Sequence, residues 1–154
     1  MAVRAASNRL VSMSLLSSIT GGCLCGAVRY HATTEPAFAG LCYCADCRRA
    51  SGSGFIPFMG FAARDIAISG TTRQSNVPSF RGGTATRNHC AQCGSLVFGG
   101  VVGESDSFTI YAGSLDDPTL FRPTLALFVR DRPTWAEIRP GLTEYETKIG
   151  RAHV

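Results

Sequence analysis

The stretch Gly21-Gly22-Cys23-Leu24-Cys25-Gly26-Ala27-Val28-Arg29-Tyr30 opens the informative part of this 154-residue chain. Its alternation predicts a strand leaving a glycine turn. Side chains two apart on a strand share a face, so Cys23 and Cys25 point together while Leu24 points elsewhere. Two thiols aimed at one point need a partner, and the next cysteines supply candidates.

The chain holds seven cysteines, and the remaining five fall in Cys42-Tyr43-Cys44-Ala45-Asp46-Cys47 and Cys90-Ala91-Gln92-Cys93-Gly94. Seven is odd, and cysteines separated by one residue on a strand are badly placed for an unstrained disulfide. The clusters therefore read as metal ligands kept reduced, which places the protein in a reducing compartment such as the cytoplasm. Cys-x-x-Cys followed by glycine is the form of a zinc knuckle, because the glycine takes the backbone angles the turn demands.

Structural zinc is closed by four protein ligands, whereas catalytic zinc keeps three and leaves a position for water or substrate. Seven divides into four plus three. The compact triplet Cys42, Cys44 and Cys47 can converge on one ion, leaving Cys23, Cys25, Cys90 and Cys93 to clamp a second. Three thiolates make the open ion a weak Lewis acid for activating water but a good site for binding a substrate thiol as thiolate. A second structural zinc closed by His31 or His89 is the alternative at the triplet. A redox role for Cys44 and Cys47 is disfavoured, since no strand–helix context of the thioredoxin kind surrounds them.

Working outward, apolar runs at 38–43, 55–61, 96–98, 108–111 and 125–129 read as strands, with Pro57 marking an edge or bulge, while the 84–89 stretch approaches Cys90. Residues 66–69 and 71–75 flank Gly70 like a hairpin, and residues 48–54 read as a turn or loop. Asp116-Asp117-Pro118 signals a helix start or turn. Phe80-Arg81 leads toward the second knuckle, and Trp135 reads as a packing residue. Seventeen glycines, seven prolines and 17% charged residues agree with a mainly β chain of short strands and little helix. One domain is expected over residues 21–145, after a flexible leader at 1–20 and before a tail at 146–154. The apolar run at 10–19 is broken by four serines and lacks a clear cleavage site, so it is no signal peptide, and Met13 is a plausible alternative start.

The formal charge of +4 comes almost wholly from scattered arginines, with Lys148 the one lysine. That is no nucleic-acid footprint. No run approaches the roughly 20 apolar residues needed to span a bilayer, so no membrane partner is expected.

The ordered set Gly22-Cys-x-Cys-Gly26, Cys42-x-Cys-x-x-Cys-Arg48, Ala50-Ser-Gly52, Cys90-x-x-Cys-Gly94, Ala112-Gly-Ser-Leu-Asp116 and Pro133-x-Trp135 resembles the glutathione-dependent formaldehyde-activating enzyme family, whose domain is also found in centromere protein V. The resemblance covers about residues 21–140. It implies an Mss4-like fold of zinc-containing folded β-sheets and two zinc ions per chain. Cys23, Cys25, Cys90 and Cys93 would hold the structural ion, and Cys42, Cys44 and Cys47 the catalytic one. It further implies a carbon–sulfur lyase acting on a small thiol such as glutathione and a small aldehyde such as formaldehyde. Independently of the resemblance, Arg48, Arg49 and Ser51 follow the triplet directly and are candidate contacts for a carboxylate-bearing substrate. The competing expectation is a non-catalytic zinc module for protein binding on the same fold. One departure is Tyr43, where family members often have histidine; a phenol with a reference pKa of about 10 transfers protons poorly at neutral pH.

Overall fold

The computed structural model describes residues 18–79 and 82–148. Most of the expected leader, the Phe80-Arg81 pair and the end of the expected tail lie outside the described residues. Among those described, the chain is mainly β, with eleven strands in two sheets and a single short α-helix.

The small sheet joins β1 (Ile19–Gly22), β2 (Arg29–Ala32) and β5 (Ile66–Ser69) in the order β1-β2-β5, all antiparallel. It begins two residues before the expected boundary at 21, because Ile19 is buried to 1% exposure in the core and pairs with Ala32. The cysteine stretch is not itself a strand. Cys23 and Cys25 sit on the turn between β1 and β2, which the Gly26 amide closes by donating to the Cys23 carbonyl at 3.1 Å.

The large sheet uses β3 (Phe38–Cys42), β4 (Ile56–Ala62), β6 (Thr72–Pro78), β7 (Thr84–Cys90), β8 (Leu96–Gly99), β9 (Ser107–Tyr111), β10 (Leu125–Leu127) and β11 (Thr143–Tyr145). Their order is β11-β10-β3-β4-β9-β8-β7-β6. Neighbours are antiparallel except that β10 runs parallel to both β3 and β11. Pro57 lies opposite Leu41 of β3, and β9 begins pairing with β4 only at Phe58. Despite the central position of β4, the proline thus occupies a stretch with a ladder on one side, where a missing N–H is tolerated.

The hairpin expected about Gly70 does not form: β5 belongs to the small sheet and β6 to the large one. Gly70 instead takes φ 98° where the chain passes between sheets, and a Cβ there would overlap the Ala27 carbonyl oxygen. The segment at 48–54 is likewise not all loop, since α1 (Ala45–Ser51) runs through it and ends at Gly52. The Asp117-Pro118 signal does start a 3₁₀ turn, Pro118–Leu120, with the Asp117 carboxylate accepting from the Thr119 amide.

Strand alternation divides the large sheet into two faces. Met59, Phe61, Phe98, Phe108 and Ile110 pack with Ile19, Tyr30 and Ala32 of the small sheet and with Val28 of its β1–β2 turn to form the main core. Ile56 and Phe58 lie on the opposite face with Cys42, Leu127 and Phe128. Burying the first set stabilises the scaffold, and the second set packs around Cys42 and Cys44.

Candidate metal and thiol site

The four thiols of Cys23, Cys25, Cys90 and Cys93 lie within 4.8 Å of one another. Two similar turns present them. Cys90 and Gly94 repeat the arrangement of Cys23 and Gly26, with the Gly94 amide donating to the Cys90 carbonyl at 3.0 Å and both glycines at positive φ. Sγ–Sγ separations of 3.6 Å for Cys23 and Cys25 and 3.8 Å for Cys25 and Cys90 are far beyond a disulfide bond. They match the roughly 3.8 Å edge of a tetrahedron whose sulfurs stand about 2.3 Å from a central ion.

Nearby groups stabilise charge on these sulfurs. The Val28 amide donates to Cys23 Sγ at 3.2 Å, and Ser95 Oγ lies 3.1 Å from Cys93 Sγ while accepting from the Leu24 amide. The Ser95 hydroxyl, aided by its amide, pulls the Cys93 thiol down to about 5. At Cys25 the Ala27 amide pulls the thiol down, but neighbouring Cys23 and burial outweigh it and push it up to about 11. Sulfurs crowded this closely cannot all ionise without a cation between them.

The triplet is built differently. Cys42 ends β3, Cys44 caps α1, and Cys47 lies in the helix's first turn. The Cys47 amide donates to Cys44 Sγ at 3.4 Å. Hydrogen bonds from Cys42 and Cys47 and from the Cys47 and Asp46 amides hold the Cys44 thiol at about 2 despite its burial. Cys42 is pushed far up by the same sulfurs and by burial. At Cys47 the bond to Cys42 lowers the value, but Cys44 and burial together lift it to about 11. Protein alone therefore supports one thiolate shared among three sulfurs, and a divalent cation would accept all three as anions.

All three thiols lie within 4.8 Å of each other, and among the described residues no histidine or carboxylate joins them. His89 is engaged elsewhere, its Nε2 lying 3.2 Å from Ser75 Oγ, and His31 pairs within the small sheet. Cys42 and Cys47 open onto a cavity of about 360 Å³. One wall is apolar, from Phe38, Ile56, Phe58 and Leu127; the other carries Arg87, Thr86, Thr109 and Tyr111.

Arg48, Arg49 and Ser51 do not line this cavity. Arg48 Nε donates to the Tyr43 carbonyl at 3.2 Å, Ser51 Oγ donates to the Cys47 carbonyl at 2.8 Å, and Arg49 is exposed. Tyr43 also packs apart from the thiols. Alternation turns its ring into a cluster with Leu41, Ala126 and Ala136, where its hydroxyl donates to the Glu137 carbonyl. That side chain packs in a cluster separate from the one that holds Cys42 and Cys44. Trp135, expected to pack, is 71% exposed and lays only its ring edge over Gly54.

The residues that sequence reading missed are Arg87 and Tyr111. Arg87 is only 8% exposed and brings Nη2 to 4.0 Å from Cys47 Sγ. A bulge between Asn88 and His89 sets its direction, and buried Asn88 secures the bulge by donating to the Gly100 carbonyl at 2.7 Å and accepting from Thr72 Oγ1 at 3.0 Å. The available signal was an arginine three residues before a knuckle cysteine, in the strand that leads into it.

A family model described as glutathione-dependent formaldehyde-activating enzyme matches residues 18–131. No curated protein matches the chain. Among solved structures, a Rhodobacter sphaeroides protein is 19% identical with a TM-score of 0.48, the match covering 63% of this chain and 87% of that one.

Proposed function

This chain belongs to the glutathione-dependent formaldehyde-activating enzyme family, and on that premise we propose that it is a zinc-dependent enzyme of carbon–sulfur lyase type. Its substrate would be the adduct of a small, glutathione-like thiol with a formaldehyde-like aldehyde. The single observation that carries this reading is a three-thiol cluster, with no fourth histidine or carboxylate among the described residues, opening onto a cavity. A closed second structural site would need such a fourth donor, so this observation favours chemistry over a purely structural module.

Zinc held by Cys42, Cys44 and Cys47 would supply a position at which a substrate thiol loses its proton and remains nucleophilic. The protein's own residues do the rest. Phe38, Phe58 and Leu127 exclude water on one side of the reacting carbon, while the hydroxyl-bearing wall meets its oxygen. In the forward direction the sulfur–carbon bond forms as the carbonyl π pair moves to oxygen, and the proton lost by the thiol returns to that oxygen. Cleavage is the reverse, releasing thiol and aldehyde.

Cys23, Cys25, Cys90 and Cys93 would hold a second zinc whose role is structural. Seven free thiols fit a reducing compartment such as the cytoplasm. Among the described residues no helix is long and apolar enough to cross a membrane. The domain would span residues 21–145 with β1 extending it to Ile19.

Exchange NMR of glutathione with formaldehyde tests the reading. The zinc-loaded protein is expected to accelerate interconversion of thiol and adduct, and Cys44→Ser is expected to abolish that acceleration. Equal exchange rates with and without the Cys44 thiol would refute it.

A further inference from the structure

Arg87 poses an energetic question that the thiol cluster alone does not answer. Burying a guanidinium costs several kcal/mol unless an anion or a full set of hydrogen bonds compensates. Yet the ion pairs among the described residues join Arg29 to Asp116, Arg64 to Asp65 and Arg130 to Asp131, and none includes Arg87. Its charge faces the sulfur of Cys47 and the phenol of Tyr111.

Tyr111 ends β9 on the same cavity wall. A phenol with a reference pKa of about 10 is a hydroxyl donor at neutral pH. Between the two lies Gly99, paired with Arg87 across β7 and β8 and lining the same cavity. A Cβ at Gly99 would stand 3.1 Å from Tyr111 Oη and 3.3 Å from the Thr86 carbonyl oxygen. The missing side chain keeps space in front of the phenol. A cation, a neutral hydroxyl donor and a cleared floor beside a nucleophile's site have the composition of an oxyanion-binding subsite.

We propose that Arg87 and Tyr111 bind the oxygen on the carbon that bonds to the substrate sulfur, an inference that rests on the thiol–aldehyde reading of the triplet. Arg87 supplies positive charge to that oxygen as it gains the carbonyl electron pair, and Tyr111 donates a hydrogen bond to it. The position beside Cys47 explains the choice of oxygen. A carboxylate at the far end of a peptide thiol lies many bonds from the sulfur, whereas this guanidinium lies 4.0 Å from a sulfur of the cluster itself. Oxygen-bearing adducts are therefore the substrate class this site favours over simple thioethers or thiols.

The test compares two probes on the full-length protein loaded with cobalt(II): thioacetate, whose oxygen sits on the sulfur-bearing carbon, and ethanethiol, the same skeleton without it. Sulfur-to-cobalt absorption reports binding without turnover. Arg87→Met and Tyr111→Phe are each expected to weaken thioacetate by about tenfold while changing ethanethiol by less than about twofold, as loss of a hydrogen bond to charge predicts. Arg87→Lys should recover part of the thioacetate affinity, and it replaces Arg87→Met should the latter fail to retain cobalt. If both probes weaken equally, Arg87 is only a counter-ion to the cluster and the inference is overturned. If neither probe alters the wild-type spectrum, the thiol–aldehyde reading falls and takes the inference with it, a result distinct from equal weakening.

Discussion

Removing the paired thiols of the four-cysteine cluster should cost more stability than removing the same number from the triplet, and the difference can be worked from chain lengths. A metal bridging Cys25 to Cys90 closes a loop of 65 residues. The triplet closes only the short segment from Cys42 to Cys47. In the chain-entropy treatment of a cross-link the 65-residue closure is worth about 4 kcal/mol and the short one about 2 kcal/mol. The metal–sulfur bonds are common to both and largely cancel, so Cys90→Ala/Cys93→Ala should be less stable than Cys42→Ala/Cys44→Ala by about 2 kcal/mol. This is a large fraction of the 5–15 kcal/mol that holds a typical domain together. The clamp also ties the β1–β2 turn of one sheet to the β7–β8 turn of the other, so its loss frees contacts between sheets. Urea unfolding of zinc-loaded proteins, followed by far-UV circular dichroism with metal content measured in parallel, gives the comparison. At a slope near 2 kcal/mol/M the midpoints should differ by about 1 M. A triplet variant whose midpoint equals or falls below that of the clamp variant would refute the reasoning.

Gly70→Ala should destabilise by at least about 2 kcal/mol, because the alanine must hold a positive φ and its Cβ meets the immovable Ala27 carbonyl; thermal unfolding within 1 kcal/mol of wild type would contradict this. Tyr43→His should cost about 2–4 kcal/mol by replacing a fully buried phenol that donates to the Glu137 carbonyl, while thiol binding at the cobalt-loaded triplet is retained; a selective loss of thiol binding would show that this position does serve the sulfurs. Asp116 is held below the ordinary carboxylate range by Arg29 first and then by the Thr20 hydroxyl. A depressed folded value means the pair's contribution is complete above about pH 4 and is lost as pH falls through the lower folded value. A double-mutant cycle of Arg29→Met and Asp116→Asn should give coupling that is constant from neutral pH to about 4.5 and declines below it. Coupling that rises on acidification would reverse the assigned sign.

The sequence alone was sufficient for the mainly β class, the division of seven cysteines into four and three, and the turn at Cys90 to Gly94. These depend on short-range geometry: composition, the spacing of thiols within a few residues, and glycine where φ must be positive. The same local logic failed where neighbours in sequence part company in space. Residues 66–69 and 71–75 looked like a hairpin because Gly70 lies between them, yet pairing across the sheets, with Ile66 opposite Ala32 and Thr72 opposite Cys90, decided otherwise. Reading Cys23 to Tyr30 as one strand placed the right thiols together for an incomplete reason, since it is a turn that makes them converge. Arg48 and Arg49 attracted attention by adjacency to the triplet, whereas helix formation turned Arg48 onto a backbone carbonyl. The cation that reaches the triplet is Arg87, 40 positions beyond Cys47, joined by a phenol from a third strand. No periodicity in the chain encodes that meeting. It requires β7 and β9 to take their places in the large sheet, and a bulge beside Asn88 to set the arginine's direction, so only the packed tertiary structure determines which charge faces the sulfurs.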